Sequence, residues 1–185
     1  IKIIGTTSPK KLTVNNISFS GGKGTIIDGK QCGGAVASLS SGTVSFENCS
    51  FSARRVTNGG MGGALYISKG DVTLDSCIIG KDITDFSSFT PPQLNTASNT
   101  AVYGGAFALE PAEGDTVTLT LKETIVGNNY GSQGGAFFIT GDGTNTVTID
   151  EYSKIYGNYT SNNGGAIETA GSGVVNLTVE GYIGY

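Results

Sequence analysis

Gly33-Gly34-Ala35-Val36, Gly62-Gly63-Ala64-Leu65, Gly104-Gly105-Ala106-Phe107, Gly134-Gly135-Ala136-Phe137 and Gly164-Gly165-Ala166-Ile167 are five copies of one phrase. Their starts lie 29, 42, 30 and 30 residues apart. A unit of about thirty residues therefore recurs, and a fixed period of that length marks a solenoid or an array. The long interval predicts an insertion in one copy, at about residues 80–103.

A second signature follows each corner. It runs Leu12-Thr13-Val14-Asn15-Asn16-Ile17-Ser18-Phe19, Val44-Ser45-Phe46-Glu47-Asn48-Cys49-Ser50-Phe51 and Val72-Thr73-Leu74-Asp75-Ser76-Cys77-Ile78-Ile79. Leu119-Thr120-Leu121-Lys122-Glu123-Thr124-Ile125-Val126, Val147-Thr148-Ile149-Asp150-Glu151-Tyr152 and a fading Val175-Asn176-Leu177 continue it. Each window reads in-out-in, two residues of bend, then in-out-in. Period-two alternation rich in β-branched residues predicts half-buried strands. No window carries a helical period.

A thirty-residue unit of short strands joined by Gly and Asn corners predicts one rung of a parallel β-helix. Each strand pairs with its counterpart one repeat away, and equivalent residues stack in columns. Val14, Phe46, Leu74, Leu121 and Ile149 are expected inside; Thr13, Ser45, Thr73, Thr120 and Thr148 are expected to form a hydroxyl ladder outside. The expected fold is all-β, a right-handed parallel β-helix of about six rungs spanning residues 1–185 as a single domain, on the order of 25–30 Å tall. The hand follows from the general bias of parallel crossovers.

The paired glycines (Gly33 and Gly34, Gly62 and Gly63, Gly104 and Gly105, Gly134 and Gly135, Gly164 and Gly165) are expected to supply positive-φ corners, with Ala filling a crowded interior turn. The Asn-rich corners Gly127-Asn128-Asn129 and Asn158 through Asn162-Asn163 are expected to tolerate left-handed geometry and to stack as side-chain ladders.

Repeated Gly-Gly-Ala-[Ile/Leu/Val] alternating with an apolar-x-x-Asn element, as in Ile125-Val126-Gly127-Asn128 and Ile155-Tyr156-Gly157-Asn158, resembles the passenger repeats of the chlamydial polymorphic outer-membrane proteins and similar microbial surface β-helices. The resemblance covers residues 12 to 180. It implies a secreted, surface-displayed β-helix that adheres to other cells. No translocator barrel is visible in this sequence.

Composition narrows the function classes. The net charge is −4 and charged residues make up only 14%, which gives no support to nucleic-acid binding. Lys10-Lys11 and Arg54-Arg55 read as solvated pairs. No run of eighteen apolar residues predicts a membrane-spanning helix. The chain opens on Ile1 without a leader-like segment, which leaves a processed chain and a piece of a longer one both open. Three cysteines without metal-like spacing indicate neither a disulfide framework nor a metal site. Cys49 and Cys77 fall at equivalent inward positions, and Cys32, before a glycine corner, is expected to be the exposed thiol. No cofactor is indicated.

Candidate sites are few. Phe86, Phe89, Pro91 and Pro92 lie in the insertion, where a rigid coil carries binding residues. Asn16, Asn48, Asn158 and Asn176 stand in N-x-[S/T] sequons, which predict N-glycosylation only in a source that modifies such sites. Glu47 and Asp75 fall in one column about 5 Å apart, a separation that suits a retaining glycosidase pair or a cation site. Lys122 and Asp150 continue that column as a charged ladder, and the chain has no His and no Trp. The Thr ladder invites an ice-binding reading, which Lys11 and Asp71 interrupt.

The expected function is that of an extracellular or cell-surface structural and adhesive module without catalytic activity, whose partners are other protein or glycan surfaces. The alternative is a subunit that stacks end to end on copies of itself into a filament, because neither Ile1-Lys2-Ile3-Ile4 nor Gly181-Tyr182-Ile183-Gly184-Tyr185 reads as a capping helix.

Overall fold

The computed structural model of the chain describes residues 1–5, 11–52, 54–56, 59–82 and 98–184. Among these residues every regular element is a strand, and nearly every pairing is parallel. The first coil holds β1 (Lys2–Ile4), β2 (Lys11–Asn15) and β3 (Ser18–Ser20). A hairpin follows, β4 (Thr25–Ile27) and β5 (Lys30–Cys32), the one antiparallel pair among the described residues. The next two coils hold β6 (Val36–Glu47), β7 (Ser50–Ser52) and β8 (Arg54–Arg55), then β9 (Leu65–Asp75), β10 (Ile78–Gly80) and β11 (Asn99–Tyr103). In the following two, the long strand is broken by a turn. They hold β12 (Phe107–Leu109), β13 (Thr116–Lys122), β14 (Ile125–Gly127) and β15 (Asn129–Gln133), then β16 (Phe137–Ile139), β17 (Thr144–Ile149), β18 (Lys154–Tyr156) and β19 (Tyr159–Asn163). The last coil holds β20 (Ile167–Thr169), β21 (Val174–Val179) and β22 (Tyr182–Gly184).

The strands stack into a β-solenoid. The second sheet runs β22-β18-β14-β10-β7-β3, six layers in all. Because the first and last layers are partial, the coil makes about five turns rather than six. Residues 99–103, which the repeat spacing assigned to the insertion, form β11 and pair with β15 and β8. The departure from the coil is therefore shorter than the spacing alone implied.

The columns fall in register as the alternation requires. Val14 stands opposite Phe46, Phe46 opposite Leu74, Leu74 opposite Leu121 and Leu121 opposite Ile149. All but the partly buried Val14 are fully enclosed. Thr13, Ser45, Thr73, Thr120, Thr148 and Thr178 form the matching outward column. Stacked aromatic rings inside the coil repeat the strand spacing of about 4.8 Å: Phe19 and Phe51 lie 4.7 Å apart, Phe107 and Phe137 4.8 Å.

The two glycines of each corner serve different ends, which corrects the single role expected of them. Only the first has positive φ, between 58° and 68° in the five copies. The second is required by the neighbouring coil. A methyl group on Gly63, Gly105 or Gly135 would sit well inside 3.0 Å of the backbone carbonyl of the next coil's second glycine. That closeness lets corner amides bond from coil to coil, as in Gly105 N–H to Gly134 O at 3.0 Å and Ala106 N–H to Ala136 O at 3.0 Å. The bend after β2, β6, β9 and β13 is also left-handed, at Asn16, Asn48, Ser76 and Glu123. Asn tolerates this conformation best among residues with a side chain.

Candidate functional site

The hairpin β4–β5 breaks the repeat, and a polar groove lies beside it. Its turn, Asp28-Gly29, has positive φ at both residues, 48° and 78°. That is the geometry of the two-residue turn that suits the twist of paired strands. The hairpin's second strand joins the coil through a parallel bridge from Cys32 to Met61, with Met61 N–H donating to Gln31 O at 2.9 Å, and its apolar side lies against the outer face of the first sheet. There Cys32 packs with Ala37, Met61, Tyr66, Ala108 and Phe138, flanked by Ile27, Leu39 and Tyr103. The sheet thus has a second small apolar layer outside, where the repeat alone would place polar residues.

At the edge of this layer a groove of about 460 Å³ opens between the hairpin and the turns after β12 and β16. Tyr66 is 4% exposed, and its hydroxyl donates to Glu110 Oε2 at 2.8 Å. Lys30 Nζ reaches Glu110 Oε1 at 3.5 Å, so one carboxylate ties the hairpin to the fourth coil. Lys69 Nζ and Asp115 Oδ1 pair at 2.5 Å along the same wall, and Asp28 and Asp142 complete the polar rim. Burial, and then the charge and hydrogen bond of Glu110, push the Tyr66 phenol far above its ordinary range. Burial, and then the Glu110 charge, push the Cys32 thiol up to about 11.

These protonation states decide what the groove can do. At neutral pH Tyr66 is a fixed hydrogen-bond donor, and Cys32 is a thiol rather than a nucleophilic thiolate. Glu110 is already engaged by two partners. The groove's rim offers both donors and acceptors to a polar ligand. Among the described residues no group of three or more His, Cys, Asp or Glu side chains converges as a metal site.

The residues singled out from the sequence are placed as follows. Glu47 and Asp75 are opposite one another in register, and Lys122 follows opposite Asp75. Asp75 Oδ1 accepts from Ser76 Oγ at 2.9 Å. Asn16 and Asn48 are exposed at the left-handed bends, so their identity has a backbone reason. Asn176 is exposed on β21. Asn158 is not a free acceptor. Its Nδ2 donates to Val126 O at 2.8 Å and Tyr156 O at 3.2 Å, while its Oδ1 accepts from Asn129 Nδ2 at 2.9 Å. With Asn99 Nδ2 donating to Asn129 Oδ1 at 2.7 Å, this is the ladder expected of the Asn-rich corners. Phe86, Phe89, Pro91 and Pro92 lie outside the described residues.

Cys32 is 1% exposed, which corrects the expectation that it is the accessible thiol. Met61 and the hairpin close over it. Cys49 and Cys77 are free, buried, and part of a turn ladder with Thr124 and Ser153. In that ladder each heteroatom accepts the amide of the preceding coil's equivalent residue. Cys49 N–H bonds Cys77 Sγ at 3.4 Å, Cys77 N–H bonds Thr124 Oγ1 at 3.2 Å, and Thr124 N–H bonds Ser153 Oγ at 3.1 Å.

The Tyr66–Glu110–Lys30 cluster escaped sequence reasoning because its members belong to different coils. Only the Asp28-Gly29 hairpin signal between Ile26-Ile27 and Lys30-Gln31 pointed toward it. Comparison of the chain with protein-family models, curated proteins and solved structures produced no match.

Proposed function

We propose that the chain is an extracellular or cell-surface structural module, a stiff β-solenoid whose outer faces adhere to protein or glycan surfaces without chemical turnover. The observation that carries this reading is the unbroken outward column Thr13-Ser45-Thr73-Thr120-Thr148-Thr178, held at strand spacing on a rigid stack. Such a surface presents hydroxyl groups at a fixed repeat, which suits a repeating polymer. The groove at Tyr66, Glu110 and Lys30 adds a local polar recess on the same module. The likeness of the Gly-Gly-Ala repeats to surface-displayed passenger domains supports the same placement. N-glycosylation at Asn16, Asn48 and Asn176 belongs to this reading for a source that modifies sequons.

The test is to apply the fluorescently labelled chain to arrays of polysaccharides and extracellular-matrix proteins, and to assay the same polysaccharides for new chain ends. Saturable retention without new ends supports the reading. Release of new reducing or unsaturated ends from any polysaccharide, or no retention on any surface, overturns it.

A further inference from the structure

Two ion pairs, Lys30–Glu110 and Lys69–Asp115, line the groove between the hairpin and the turns after β12 and β16. We propose that this groove binds one or two rings of an uncharged glycan, which deepens the adhesive reading above and rests on it. Lys30 and Glu110 are 48% and 31% exposed, Lys69 and Asp115 40% and 29%, so each pair is held in place yet reachable from the groove. An ammonium group carries three N–H donors and a carboxylate about four lone-pair sites, more than one pairing consumes. A sugar hydroxyl both donates and accepts. It therefore fits beside such a pair, donating to the carboxylate and accepting an N–H from the ammonium.

The apolar wall supplies the other half of sugar recognition. Ile27 of the hairpin, Leu39 of β6, and Pro111 and Ala112 of the turn after β12 line the same groove. The C–H faces of a sugar ring lose water against such a surface while its hydroxyls point to the polar rim. Tyr66 donates to Glu110 Oε2 at 2.8 Å and so fixes the orientation of that carboxylate before a ligand arrives. Orientation set in advance lowers the cost of binding. At about 460 Å³ the groove falls within the range of about 300–1,000 Å³ common to small-ligand clefts.

Charge narrows the class of glycan. Four carboxylates (Asp28, Glu110, Asp115 and Asp142) and two ammonium groups line the groove, a net charge of −2. Uronic and sulfated sugars are disfavoured by that balance. A bare metal cation requires carboxylates that converge, and among the described residues no three do. Acceptors spread along a groove suit a ligand that carries hydroxyls on successive carbons.

Isothermal titration of the 185-residue chain with cellobiose, lactose, maltose and N,N′-diacetylchitobiose tests this, with glucose and glucuronic acid as an uncharged and an acidic pair. Two variants accompany the parent. Ala112→Trp fills the groove from an exposed turn position, and Lys69→Met removes a donor while keeping the aliphatic stem. Circular dichroism of each confirms the fold. The parent is expected to bind at least one of the disaccharides saturably, and glucuronic acid more weakly than glucose. Each variant is expected to weaken disaccharide binding about ten-fold or more. Binding unchanged in both variants overturns the inference, as does tighter binding of the acidic sugar. A parent that is retained on polysaccharide arrays but binds none of these sugars also overturns it, and leaves the adhesive reading standing. A parent retained on no surface overturns both.

Discussion

Replacing the second glycine of a corner by alanine separates local conformation from coil stacking. Gly135 has no positive φ, so alanine meets no intrinsic backbone objection there. Its methyl group would nevertheless lie well inside 3.0 Å of Gly165 O, and 2.9 Å from both Tyr159 N and Tyr159 O. Relief requires the two coils to part by on the order of an ångström, roughly a fifth of the strand spacing. Such a shift breaks the bonds from Gly135 N–H to Gly164 O at 2.9 Å and from Ala136 N–H to Ala166 O at 3.0 Å. It also loosens Phe137 against Ile167, its partner one coil on. Two buried hydrogen bonds at about 1 kcal/mol each, with about 1–3 kcal/mol for overpacking, give a cost of about 3–5 kcal/mol. That is a large share of a total stability of about 5–15 kcal/mol. Gly165→Ala is the control. It has the same sequence context, no positive φ and an open site, so it is expected to be neutral or to stabilise by up to about 1 kcal/mol. Urea denaturation followed by far-ultraviolet circular dichroism measures both. Equal midpoints for the two variants would refute the stacking explanation of the second glycine.

Further predictions concern the ladders, the thiols and the bends. Asn129→Leu removes the side-chain hydrogen bonds from Asn129 to Ile79 O, Gly127 O and Asn158 and the one it accepts from Asn99, and is expected to cost about 2–4 kcal/mol by urea denaturation. Cys77→Thr copies the residue one coil on, and is expected to stay within about 1 kcal/mol of the parent, whereas the similarly sized Cys77→Val removes the acceptor for Cys49 N–H and is expected to cost about 1–3 kcal/mol. The thiols of Cys32 and Cys77 are raised from an ordinary 9.0 to about 11, chiefly by burial. Each therefore contributes stability fully present below pH 9 and lost as pH rises through 11, on the order of 2–3 kcal/mol per thiol. Urea midpoints at pH 8 and pH 11 check this, and the loss is expected to be smaller in Cys77→Thr. Glu123 occupies a left-handed bend that Asn fills in earlier coils, so Glu123→Asn is expected to raise the thermal midpoint, by about 0.5–1 kcal/mol of stability.

The repeat made the solenoid legible because stacking converts a one-dimensional period into columns. Val72 and Leu119 are 47 residues apart, yet the shared window assigns them to one column without knowledge of the insertion between them. Features that obey the repeat were therefore accessible, including the exposed bends at Asn16 and Asn48 and the inward pair Cys49 and Cys77. Features that leave it were not. Cys32 sits before a corner and looked exposed, because its cover comes from a hairpin folded back over the sheet. The Tyr66–Glu110 bond joins residues 44 apart, and the other residues of the Tyr66 column, Ala37, Ala108 and Phe138, carry no hydroxyl to announce it. The two glycines of a corner are identical on paper. Only the spacing of coils reveals that one answers to φ and the other to its neighbour's carbonyl. Asn158 satisfies a glycosylation pattern of three residues, while its side chain answers to its own coil and the one before.

Equivalent residues of successive coils lie one strand spacing apart along a common axis. Spin-label distance measurements on the outward column test it most directly, pairing a label at Thr13 with one at Thr120, Thr148 or Thr178. Stacking predicts separations that grow by about 4.8 Å per coil, near 14, 19 and 24 Å in turn, although the sequence separations exceed a hundred residues. Distances that fail to rise in equal steps, or that scatter independently of coil number, would contradict it.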